Sequence, residues 1–131
     1  MEHLIAMTRQ GVTPETSRPP RVVEGDPIHT TWNIEERQAQ PAQALPGEGQ
    51  TPHGADKGML YAGLWHTTPG AWTVNYEEWE YIRILEGVSV LIDEQGVETR
   101  LQAGDSHIIR PGFKGIWRCI EPTLKDYVIL A

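Results

Sequence analysis

The stretch EYIRILEGVSVLIDEQGVETRL, Glu80–Leu101, decides the fold of this chain. Its first residues alternate, with Glu80, Ile82 and Ile84 on one side and Tyr81, Arg83 and Leu85 on the other, the period of a half-buried strand. Glu86-Gly87 reads as a turn. Val88–Asp93 and Val97–Leu101 then flank Glu94-Gln95-Gly96, a hairpin signal with glycine where a left-handed backbone is needed. Strands this short and this closely spaced point to an all-β domain.

The same grammar runs outward in both directions. Ala103-Gly104-Asp105 is a turn and Ser106–Arg110 a strand, closed by Pro111-Gly112-Phe113-Lys114-Gly115. Ile116–Ile120 and Lys125–Leu130 are the last two strands, split by Glu121-Pro122. Upstream lie Trp72–Tyr76 and Met59–Thr67, the latter stopped by Pro69-Gly70. The Gly/Pro-rich residues 41–58 read as a long loop, either a functional lid or a poorly ordered insertion. Ile28–Ile34 is a short strand or turn, and Glu35–Gln40 has room for a turn or two of helix. Residues 1–25, with Pro14, Pro19 and Pro20, read as an irregular arm. The expected organisation is therefore an arm at 1–25 and a single barrel or sandwich at 26–131.

Composition narrows the function classes. The 131 residues carry a formal charge of −7, with 39% apolar and 22% charged residues. No basic face is visible for nucleic acid, and an anionic membrane surface is disfavoured for the same reason. The single cysteine, Cys119, cannot close a disulfide within the chain, which excludes a disulfide-stapled secreted domain. The apolar run Leu4–Met7 is too short for a signal peptide, and no segment approaches a membrane span. A cytoplasmic protein is expected.

Three stretches together resemble a cupin. Glu80 is followed after six residues by Gly87, as at the end of the first cupin motif. The hairpin turn carries Gly96. Gly104-Asp105 leads to Pro111-Gly112-Phe113, similar to the second motif. Gly63-Leu64-Trp65, Pro69-Gly70-Ala71-Trp72, Gly112–Trp117 and Lys125-Asp126-Tyr127 resemble one branch more closely. That branch is the small cupins grouped with the cupin domain of (S)-ureidoglycine aminohydrolase and with ethanolamine-utilisation cupins. Glu24-Gly25-Asp26-Pro27 and Trp32 extend the likeness over roughly residues 22–131. The resemblance implies an RmlC-like jelly-roll barrel (the cupin β-barrel) with Glu80 facing inward.

It also raises the question of a metal. A metal-binding cupin uses two histidines shortly before the motif glutamate and a third after the Pro-x-Gly turn. Here those positions fall on Val74 and Tyr76 (or Thr73 and Asn75) and on Gly115, so only Glu80 remains of the four ligands. No metal and no other cofactor is expected. The alternative is an off-pattern site in which His66, His107 and Glu80 converge inside the barrel, against the plainer reading of hydrogen-bonded or solvent-facing histidines. His3, His29 and His53 lie in arm and loops and carry no signal.

A pocket without metal would depend on Glu80 as acid/base or hydrogen-bond anchor. Glu78 shares its face near the barrel mouth, and two neighbouring carboxylates raise each other's pKa; the alternative is a solvated rim residue. Arg83 and Arg110 are candidate partners for Glu80, and an inward Arg110 could grip a substrate carboxylate bidentately. Tyr76, Trp65, Trp72 and Trp117 are candidate pocket walls, although large aromatics equally describe a core or an interface. Three functions remain open. The chain binds a small polar molecule without metal, or is a metal-dependent enzyme, or is a non-catalytic sensory or accessory module. A homodimer is expected, because exposed sheet edges are usually covered.

Overall fold

The computed structural model describes residues 3–38 and 58–131, and within them every regular element is a strand. Apart from Gly58, the expected loop at 41–58 lies outside the described residues. The two longest strands organise the rest. β6 (Trp79–Asp93) and β9 (Lys114–Leu130) pair along their whole lengths, from Trp79 opposite Leu130 to Asp93 opposite Gly115. β4 (Met59–Thr67) pairs with the second half of β9, setting Gly63 opposite Tyr127. β5 (Gly70–Asn75) pairs with its first half, setting Trp72 opposite Trp117. On the far edge of β6, β8 (Ser106–Ile109) covers the first half and β7 (Glu98–Gln102) the second. Beyond β4 lie β3 (His29–Gln38) and β1 (Glu15–Ser17); beyond β5 lies β2 (Val22–Gly25). All these pairings are antiparallel.

One continuous sheet is thus bent into two half-sheets that share β6 and β9. Ile82, Ile84 and Ile109 from one half pack against Trp72, Leu91, Leu101, Trp117 and Cys119 from the other. This is the aligned face-to-face packing of a jelly roll. Each of these large side chains removed from water contributes roughly 1.5–3 kcal/mol of transfer free energy.

The sequence reading divides β6 at Gly87 and β9 at Pro122; both strands in fact run on. Their pairing slips between Ile84 and Ser89. Gly87, at φ +89°, lies against Pro122, and a Cβ on it would overlap the Pro122 carbonyl oxygen. The two breaker signals therefore face each other across one bulge, which bends both strands without ending either. The helical turn expected at 35–40 is replaced by strand as far as Gln38, with a bulge between Asn33 and Glu35. Pairing with β4 overrides the local signal there. Nor is the arm wholly irregular: β1 and β2 add themselves to the sheet's outer edges, where nearby prolines interrupt no inner ladder.

Candidate functional site

Alternation along four strands brings one set of side chains to the inside of the first half-sheet. β9 contributes Lys125, Tyr127 and Ile129, β4 contributes Tyr61 and Trp65, β3 contributes His29, Thr31 and Asn33, and β6 contributes Glu80. With Tyr76 and Glu15 they line a cavity of about 400 Å³. At its base the Lys125 Nζ donates to Glu80 Oε2 at 3.0 Å, with only 6% and 5% of the two side chains exposed. Lys125 stands opposite Ile84, and Tyr127, opposite Ile82, lies between it and Glu80; the long lysine side chain reaches back along the strand.

A charge pair this deep needs further contacts to offset its lost hydration. The aromatic walls supply them, with the Nζ 4.5 Å from the Trp65 ring centre and 4.8 Å from that of Trp117. Trp117 is fixed in turn. Its Nε1 donates to Ser89 Oγ at 3.0 Å, Ser89 and Thr123 share a 2.7 Å hydroxyl hydrogen bond, and the Trp72 ring stacks on it at 6.2 Å.

Burial and the neighbouring charges shift the surrounding groups toward their uncharged forms. Burial, and then the Glu80 charge, push Tyr127 up to about 12; its hydroxyl donates to Asn33 Oδ1 at 3.0 Å. Tyr76 is raised well above its ordinary value by burial, then by Glu80 and Glu78. Burial also raises Glu78, followed by repulsion from Glu80 and Glu77. His29 meets Trp65 and Trp72 edge-on at 4.8 and 4.5 Å, and its Nε2 is buried with no hydrogen-bond partner among the described residues. Burial and the Lys125 charge lower it from 6.5 to about 4, so the imidazole is neutral at neutral pH.

Of the residues singled out by sequence, Glu80, Tyr76 and Trp65 line this cavity. Trp72 and Trp117 are core side chains behind it, and Trp117 reaches the site through Lys125. Half-buried Glu78 lies just ahead of β6, close enough to share repulsion with Glu80. Neither arginine is the partner of Glu80. Arg83 lies on the opposite face of β6 and pairs with Asp126 at 2.7 Å. Arg110 follows the end of β8, is exposed, and lines a separate depression with His107 and Phe113.

The off-pattern metal site is not assembled. His66 alternates with Trp65 and so faces away from the cavity. His107 faces inward, opposite Ile82, but lines the separate depression. Among the described residues no group of three or more His, Cys, Asp or Glu side chains is placed to hold a metal. The family pattern does not fit a metal either. Position 74 is an apolar valine, and a Cβ on Gly115 would overlap the Ile92 carbonyl oxygen. The ammonium of Lys125 already stands against Glu80, where a metal would need that carboxylate.

Sequence reasoning missed His29, Asn33, Lys125 and Tyr127. Period-2 counting from the inward Glu80 across its paired strand would have found Lys125 and Tyr127, which were read only as marks of family likeness. His29, Thr31 and Asn33 also alternate, on the stretch Ile28–Ile34 that the sequence leaves as a short strand or turn.

Residues 54–127 match the family described as the EutQ-like cupin domain. No curated protein matches the chain. Among solved structures the chain is similar to a DUF861-family protein of unknown function from Pseudomonas syringae, with 20% identity and a TM-score of 0.70 over 94% of this chain and 46% of that one. It is similar to EutQ of Clostridium difficile, with 13% identity and a TM-score of 0.56 over 79% of this chain and 68% of that one. It is also similar to the polyketide cyclase RemF of Streptomyces resistomycificus, with 19% identity and a TM-score of 0.56 over 99% of this chain and 78% of that one. At these identities the likeness is one of fold. The chain spans about half the length of the Pseudomonas syringae protein, 46%.

Proposed function

The chain belongs to the EutQ-like cupin domain family, and on that premise we propose that its barrel binds a small polar molecule through Glu80 and Lys125, without a metal ion. The observation that carries this reading is the buried Glu80–Lys125 pair opening onto an aromatic-walled cavity. In place of a cation held by imidazoles, the site has a fixed ammonium with two N–H groups beyond the one given to Glu80. Glu80 has a second oxygen to accept with. A cavity of about 400 Å³ lies within the usual range for small-molecule sites, which combine apolar walls with few polar groups.

Two measurements on the full chain test the proposal together. Elemental analysis of protein purified without chelators is expected to find no stoichiometric transition metal. A thermal-shift screen of small polar compounds is expected to give ligands whose stabilisation grows with the logarithm of concentration and disappears in Lys125→Met. Stoichiometric metal, or a hit whose effect survives that substitution, would overturn it.

A further inference from the structure

The same pair supports a reaction, an inference that rests on the binding reading above. We propose that Glu80 and Lys125 catalyse proton abstraction from the carbon next to a carbonyl group, in a small uncharged ketone or aldehyde. By ordinary bond lengths, a carbonyl oxygen and its α-hydrogen are about 3 Å apart. Lys125 Nζ and Glu80 Oε2 are separated by 3.0 Å. A carbonyl oxygen seated on a remaining N–H of Lys125 therefore has its α-hydrogen within reach of the Glu80 carboxylate. Base and oxyanion donor are thus preorganised side by side, and both are shielded from water.

The step balances within the site. The α C–H bond breaks and its proton goes to the Glu80 carboxylate. The bonding pair forms a C=C bond, and the carbonyl π pair moves onto oxygen as an enolate, held by the Lys125 ammonium. Returning the proton to carbon restores the ketone, so no oxidant, reductant or second substrate is needed. Lys125 exchanges one anionic partner for another, carboxylate for enolate oxygen. One buried ion pair exists before the step and one after, and no unpaired charge is created.

The rest of the cavity suits this exchange. Trp65 and Trp117 keep the ammonium in place while its partner changes. Tyr127 already donates its hydroxyl hydrogen to Asn33, which leaves the Lys125 ammonium to donate to the oxygen. An anionic ligand would meet the carboxylates of Glu80 and Glu15, and a cationic one would meet Lys125, so an uncharged carbonyl compound fits best.

The test uses the full chain with acetophenone and cyclohexanone in D2O. Proton NMR follows loss of the α-hydrogens, while tryptophan fluorescence follows binding beside Trp65. Exchange is expected above the buffer rate and should fall at least about 100-fold in Glu80→Gln and in Lys125→Met. Each single variant leaves one buried charged or polar group without its partner. The double variant Glu80→Gln/Lys125→Met, checked for a native melt, is the neutral control and should also lack exchange. Ketone binding with exchange only at the buffer rate, or exchange that persists in folded Glu80→Gln, overturns the catalytic inference and leaves binding intact. If screened compounds bind but neither ketone does, the ligand class is wrong. If nothing binds, the binding reading itself fails.

Discussion

His29 shows how one side chain can couple the cavity to pH. Its imidazole titrates near 6.5 when exposed and at about 4 in the folded chain, first because it is buried and then because Lys125 is close. Between those values the unfolded chain binds more protons than the folded one. Folded stability is therefore fully present above 6.5 and is lost as pH falls toward 4. His29→Phe keeps the contacts with Trp65 and Trp72 and removes the titration. Melting temperatures of the variant are expected to fall less steeply over that window than those of the parent. Parallel slopes would mean that His29 is already free to protonate in the fold. Nothing in the sequence marks this histidine, because its burial comes from tryptophans on β4 and β5, far along the chain. Glu80, by contrast, was legible as inward-facing from the alternation of its own strand together with the family resemblance.

At the level of elements, the bend shared by β6 and β9 rests on a glycine that has no room to change. Gly87 is both left-handed and pressed against Pro122, whereas Gly96 in the hairpin is left-handed with open space around it. Gly96→Ala is expected to cost about 1–2 kcal/mol from backbone strain alone. Gly87→Ala adds an overlap with backbone and should cost more than about 3 kcal/mol, measured by urea unfolding. Equal costs would show that φ, and not the close approach, demands glycine at 87. The breaker residues were legible in position but not in kind. Glycine and proline announce a departure from regular pairing, and only the partner strand decides between a turn and a bulge. β1 and β2 escaped the reading because three- and four-residue edge strands carry too few side chains to show a period.

For the molecule as a whole, strand and turn periodicity reached a barrel or sandwich, and the family resemblance narrowed it to a jelly roll. The cavity was not legible, because its walls meet only once the sheet has curled. The arm leaves a row of apolar side chains uncovered, with Leu4 91%, Ile5 49% and Met7 41% exposed. Among the described residues, β1 and β2 also end the sheet with unpaired edges. We expect the chain to cover these surfaces by pairing with a second copy, giving a solution-scattering mass twice that of one chain. Leu4→Glu/Ile5→Glu should halve that mass, and a monomeric parent would refute the expectation. Gly115 bears on protein engineering. Installing the family's third histidine here by point substitution is blocked, since any side chain at 115 collides with the carbonyl of Ile92. The neighbouring strand would first have to be displaced, so a designer would begin by remodelling the backbone and add histidines afterwards.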